Sequence, residues 1–238
     1  MKIVYFDCTN GISGDMAYMA LKGLLDENEE EHGHSYDHKH NGDCSHEHTH
    51  EHLHNHEHSH NSYSGIKNII VNSEISESAK EKALSIYSVI AKAEAFVHGT
   101  TIEDVHFHEV GRKAAIANII GAAVCMDAIG ADKVLCSEIR DGTGFIECSH
   151  GKIPVPVPAV MAMRSECDLP YITDGNIQTE MVTPSGLAIL IGLGARHSKE
   201  IPQGEILKKV TVFGKRKTGR GGGLTAYLIE RRLSRPLL

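Results

Sequence analysis

The chain opens on an apolar run, KIVYFDC, that ends in Asp7. A short run without polar alternation fits a buried strand. TNGISGD follows, and Gly11 and Gly14 supply a tight turn. Met16, Met19, Ala20 and Leu24 then recur at helical spacing, with Asp15 as the expected N-cap. Further on, Ser78 and Glu81 have capping-box spacing before a long amphipathic helix. Its expected stripe is Ala83, Tyr87, Ile90, Ala91 and Val97, and it stops at Gly99. KAAIANIIGAAVCMDAIG is apolar on most sides (Ile116, Ile119, Ile120, Ala123, Val124), the mark of a central helix ending near Gly130.

KVLCSEI and GFIECS read as strands. HGKIPVPVPAVMAM has prolines at alternate positions, which forbids a central strand, and Pro158 suits the first residue of a helix. TPSGLAILIGLG starts another helix, with Thr183 as cap and Pro184 at its first position. KKVTVFG and LTAYLIE read as late strands. Helices and strands alternate, so the expected class is α/β or α+β, a mixed sheet with packed helices. The main domain is expected over residues 1–30 and 62–206. Residues 31–61 are an inserted loop, and 207–238 a basic C-terminal segment.

Periodicity fails in one place. Twelve of the 17 histidines lie between His32 and His60, and from His46 they fall at every second position. A two-residue period suits a strand, but the opposite face here is polar, so a disordered loop is expected. Imidazole suits Ni, Zn, Cu and Co, and a run of imidazoles can satisfy several coordination numbers. Residues 26–60 also carry ten acids against one base, so they account for more than the whole net charge of −7. His46, His48, His50, His52, His54, His56, His58 and His60 are therefore candidate metal ligands. The tract does not choose among these metals.

The remaining composition sets limits. No run of eighteen apolar residues and no signal peptide is present, so a soluble cytoplasmic protein is expected, with no membrane and no nucleic-acid partner. Six scattered cysteines with no C-x-x-C pair fit reduced thiols. From Lys208 onward there are nine bases and one acid. That end reads as a solvated, frayed terminus, with a nucleotide-phosphate contact as the alternative.

VHFHEVG sits between the helices. If extended, His106 and His108 face the same way with backbones about 6.6 Å apart. They can reach one metal, with Glu109 or Asp104 as outer partners, or serve as hydrogen-bonded structural histidines. His98 reads as a helix C-terminal residue aided by the dipole. For His150, ligand and structural roles both stay open. Strand, glycine turn and helix would present N–H groups to an anion, although the turn is neither G-x-G-x-x-G nor a P-loop.

YFDCTNGISGDM, AKAEAFVHG, VHFHEVG, HGKIPVPVPA and EMVTPSG, in that order around a histidine-rich stretch, resemble the LarC family. These are the nickel-insertion proteins of the nickel-pincer cofactor of lactate racemase. The resemblance covers residues 1–195 and in part to 220. It implies a cyclometallase of the lyase class that delivers Ni(II) into pyridinium bisthiocarboxylic acid mononucleotide, in a CTP-dependent reaction using Mg(II) or Mn(II). It implies catalytic roles for Asp7, Asp15, His106, His108 and Glu109. It places cofactor contacts on Gly11, Ser13, Gly14, Thr183 and Ser185, and metal contacts on His106, His108 and His150.

Lactate racemase would be the downstream client and a homo-oligomer the expected assembly. The chain departs from the family where Ala114 and Asn118 replace expected acids. It resembles the N-terminal part only, which implies a separate C-terminal LarC-like polypeptide. A divalent-metal store or chaperone, and a non-catalytic paralogue, are the alternatives.

The tract yields the first prediction. Deleting residues 32–60 is expected to remove most bound nickel or zinc, measured by dialysis and metal analysis, with the thermal midpoint unchanged. In the intact chain, loading should fall between about pH 7 and pH 5, because imidazoles with a free pKa of about 6.5 lose the metal to protons. Flat loading to pH 5 would point to thiolate or carboxylate ligands.

Overall fold

A computed structural model describes residues 1–26, 62–149, 151–216 and 218–231. The first apolar run is β1 (Lys2–Asp7), and the glycine turn leads into α1 (Gly14–Leu25). After residues outside the description come α2 (Tyr63–Val71), α3 (Glu77–His98) and α4 (Lys113–Ile129). Next are β2 (Lys133–Cys136), β3 (Ile139–Asp141), β4 (Phe145–Cys148) and β5 (Gly151–Pro154). The chain continues through α5 (Pro158–Ser165), β6 (Tyr171–Thr173) and α6 (Pro184–Gly192). It ends with β7 (Arg196–His197), β8 (Glu205–Val212) and β9 (Leu224–Glu230).

The main sheet has the order β7-β2-β1-β9-β8. β1, β2 and β7 run parallel, whereas β9 is antiparallel to β1 and to β8. Period 2 divides β1 between two faces. Val4 and Phe6 join the large core with α1, α3, α4 and α6, and Ile3 and Tyr5 form a small cluster with Tyr227 and Ile229 on the other face. The helices thus stack on one face of a mixed sheet. β3 pairs with β6, and β4 with β5, as two small additional sheets. Among the described residues no helix is long and apolar enough to cross a membrane.

Several sequence expectations are corrected. Ser13, not Asp15, caps α1: its backbone is extended and its Oγ accepts from Met16 N–H. Asp15 lies in the first turn, where a carboxylate also favours the helix dipole. The long helix is capped by Ser76, two residues before the expected Ser78. Val97 and Val124 are exposed, whereas Ile86, outside the expected stripe, is fully buried. α2 and β6 were not anticipated from the pattern.

The largest correction concerns the basic end. β9 is an inner strand, paired with both neighbours, and Leu224, Ala226 and Ile229 are fully buried. Leu224–Glu230 are therefore an inner strand of the sheet, not part of a frayed terminus. Apolar alternation in LTAYLIE outweighs the bases around it, since none of the nine bases falls within β9 itself.

The glycine turn gives the second prediction. Gly11 has φ +83°, in the left-handed region that costs other residues energy, and a Cβ there would collide with the Met181 carbonyl. Gly11→Ala is expected to destabilise the chain by roughly 1–3 kcal/mol in urea denaturation. An unchanged midpoint would show that the turn moves away from residue 181.

Candidate functional site

Two helix starts meet at the carboxyl end of β1, the side of a sheet where α/β folds hold ligands. Ile12 and Val182 form a parallel bridge: Ile12 N–H donates to Met181 O at 2.9 Å, and Thr183 N–H to Ile12 O at 3.1 Å. The bridge sets the Ser13-capped start of α1 beside the Thr183-capped start of α6. Gly14 and Gly186 permit the approach. A Cβ on Gly14 would sit 2.6 Å from Ser185 Oγ, and one on Gly186 would strike the Ile12 carbonyl. Gly11, Ser13, Gly14, Thr183 and Ser185 are thus brought together. Asp7 ends β1, where its Oδ1 accepts from Thr9 N–H and Thr9 Oγ.

Beneath this junction lies Asp141, fully buried at the end of β3. Its Oδ1 accepts from the N–H groups of Gly142, Met181 and Val182 at 2.8, 2.7 and 3.1 Å, and its Oδ2 from the Tyr171 hydroxyl at 2.6 Å. Four donors satisfy a charge that would otherwise be costly to bury. Burial, and then this carboxylate, push the Tyr171 hydroxyl well above its usual pKa, so it remains a donor.

Glu180 is the second buried acid, only 5 % exposed. Burial pushes its carboxyl up to about 7; Arg216 opposes the shift, and Asp141 and Glu109 add to it. Arg216 Nη2 lies 2.8 Å from Glu180 Oε2. Arg216 belongs to the β8–β9 loop, which crosses the site with two more cations. Lys215 reaches Asp15 at 3.5 Å, and Arg220 reaches Asp174 at 3.0 Å, where Arg140 also points. Lys215 is almost fully exposed, so its pair contributes little. A cavity of about 800 Å³ opens elsewhere, at the amino end of β1, lined by Met1, Ile3, Lys133, Arg196 and Arg231. The carboxyl end carries the convergent charged groups, so it is the better candidate.

The histidine segment alternates as expected. Val105 and Phe107 are buried, and His106 and His108 are exposed on the opposite side. Phe107 wedges against Tyr63 and Tyr87, and the Tyr87 hydroxyl donates to Val110 O. The ring centroid of His108 lies 6.0 Å from that of His98, whose Nε2 is 3.4 Å from Glu94. Burial raises the Glu94 carboxyl pKa, against the pull of His98 and His108. Glu109 pairs with Arg112 at 2.8 Å.

Among the described residues no group of three or more His, Cys, Asp or Glu side chains is arranged to hold a metal ion. His150 and His46 through His60 lie outside the described residues. Ala114, where an acid was expected, is exposed in the first turn of α4, and no acid stands in that turn. Sequence reasoning missed Asp141 and Glu180, and it took Lys215, Arg216 and Arg220 only as part of a basic end read as a frayed terminus, with a phosphate contact as the alternative. The signals were present: a D-G turn after a strand, the acid opening EMVTPSG, and the bases interleaved with glycine in GKRKTGRGGG.

A family model described as nickel insertion protein matches residues 4–235. The chain belongs to the nickel insertion protein family. It is 38% identical over 247 residues to the pyridinium-3,5-bisthiocarboxylic acid mononucleotide nickel insertion protein of Acetivibrio thermocellus, covering 96% of this chain and 60% of that protein. It is also 38% identical to the proteins of the same name from Lactiplantibacillus plantarum, over 70% of this chain and 40% of that one, and from Clostridium kluyveri, over 80% and 53%. The chain therefore spans about half the length of these relatives. No solved structure matches it. The family match runs through β9, beyond the limit of 220 expected from the motifs.

Glu180 gives a pH prediction. Its carboxyl rises from 4.5 to about 7 on folding, so the folded chain holds the proton more tightly. Its contribution to stability is complete below about pH 4.5 and is lost as the pH rises through about 7. The loss is on the order of 3 kcal/mol. Glu180→Gln should flatten that part of the urea-stability profile relative to wild type. Parallel profiles would place Glu180 in a more solvated setting than the structure gives it.

Proposed function

We propose that the chain is the metal-loading part of a nickel insertion protein. It delivers Ni(II), as substrate, into pyridinium bisthiocarboxylic acid mononucleotide. The observation that carries this reading is the junction of two capped helix starts under a loop of cations, in a chain of this family. Helix N-termini and arginines favour phosphate, and both the mononucleotide and CTP present it.

Asp7 and Asp15, at the rim of the junction, suit a Mg(II) or Mn(II) ion that accompanies a triphosphate. On the other side of the site, His106 and His108 stand outward, with Glu109 between them and the buried acids. Those histidines, with His150, would receive nickel from the His46–His60 tract. Imidazole and carboxylate donors suit Ni(II). The client is a racemase that uses the finished cofactor, the compartment the cytoplasm, and the assembly a homo-oligomer. A metal store without chemistry is the second reading. It is favoured by the lack of a three-donor group among the described residues and by the missing acid at Ala114.

The relatives are longer, and insertion must hold metal, mononucleotide and CTP together. The chain alone is therefore expected to bind nickel and to leave the precursor unmetallated, as read by mass spectrometry. Adding a polypeptide that matches the remaining length of the relatives should restore insertion, and His108→Ala should abolish the restored activity. Insertion by the isolated chain with CTP would overturn the part-protein reading. No insertion with the added polypeptide would favour the store.

A further inference from the structure

Glu180 is an unusual partner for Arg216. It is nearly buried and stands beside a second buried acid, Asp141, with Glu109 acting on it from the histidine segment. Arg216 is half exposed and reaches inward from the β8–β9 loop. Its guanidinium has five donors, and the contact with Glu180 is one N–O pair. Three residues beyond Glu180, Thr183 caps α6, and the Ile12–Val182 bridge holds that start beside the start of α1. Arg140 and Arg220 converge on Asp174 in the same region. Each of these cations has an acid partner, so an anion arriving at Arg216 competes with Glu180, and the acids crowd on the inner side.

We propose that Arg216 is an anion-binding residue whose guanidinium exchanges Glu180 for a nucleotide phosphate group seated at the two helix starts. Glu180 holds the anion's place and keeps the loop down. When the phosphate arrives, Arg216 forms charge-assisted bonds to it, and Glu180 loses its counter-charge. Asp141, Glu109 and the Tyr171 hydroxyl remain around it, and Arg216 was the cation facing it. Glu180 then takes a proton from solvent, because a buried carboxylate among acids is costlier than the neutral acid. Phosphate binding and proton uptake are thereby coupled. The inference rests on the proposed function only for the kind of phosphate compound bound.

Isothermal titration calorimetry of the full chain tests this with CMP, CTP and inorganic phosphate at pH 8, in two buffers of different ionisation enthalpy. A phosphomonoester, with a second pKa of about 6, is already a dianion there, so any proton uptake belongs to the protein. Wild type should take up a fraction of a proton per CMP bound. Glu180→Gln should bind CMP about tenfold tighter and take up none, because the internal competitor is neutral. Arg216→Ala should weaken binding at least tenfold, and Arg216→Lys less, because one charge remains without the planar fork.

Equal affinity in Arg216→Ala, unchanged proton uptake in Glu180→Gln, or no binding of any of the three probes by wild type would each overturn the proposal. CMP and inorganic phosphate bound through Arg216 identify a monoester as the source. CTP bound through Arg216 without CMP identifies a triphosphate. If these results hold and nickel insertion is absent with every added polypeptide, the proposed function fails while the anion site stands.

Discussion

The site depends on one buried carboxylate. Asp141 gathers the N–H groups of Met181 and Val182, and Met181 O then accepts from Ile12 N–H. That relay joins the end of β3 to the turn after β1, two segments far apart in sequence. Without it the starts of α1 and α6 would have no common reference. A neutral side chain could not serve all four donors, since an amide brings N–H groups where the hydroxyl of Tyr171 needs an acceptor. The same satisfaction explains how a charge survives with no solvent contact.

A second consequence follows from that buried charge. Glu180 lies near it, and burial first, with Asp141 adding to it, pushes its carboxyl towards the neutral form. The fold meets this by crossing the site with a loop whose glycines allow close passage: a Cβ on Gly222 would strike Asn10, and one on Gly223 the Val212 carbonyl. The interleaved bases of that loop then pair with acids on different segments, Lys215 with Asp15, Arg216 with Glu180 and Arg220 with Asp174. Exposed pairs of this kind hold a loop loosely, and the Arg216 pair is the one with a desolvated end.

Most of the architecture was legible in the sequence. β1, the Pro184 start of α6, the αL glycines at 99 and 130, and the late strands all follow local rules of periodicity and capping. The motifs also identified the residues at the helix junction, because glycine and cap residues leave a short-range signature. What stayed hidden is long-range. Asp141 is an ordinary D-G turn until Met181 and Val182 are brought against it. The bases after Lys208 look like a solvated tail because charge is visible in sequence, and the partner of each charge is not. Likewise Ser76 takes the cap from Ser78, and its hydroxyl also reaches Asp127, 51 residues away.

The histidine segment shows how the two chemistries are kept apart yet connected. Phe107 and Val105 anchor residues 105–110 in the core, so His106 and His108 project from a fixed backbone. His108 stands by His98 and Glu94 at the end of α3, a setting of imidazole and carboxylate donors. One residue on, Glu109 is close enough to Glu180 to raise its carboxyl. A single stretch anchored in the core therefore presents imidazoles on its outer side and, at Glu109, an acid that acts on the buried Glu180.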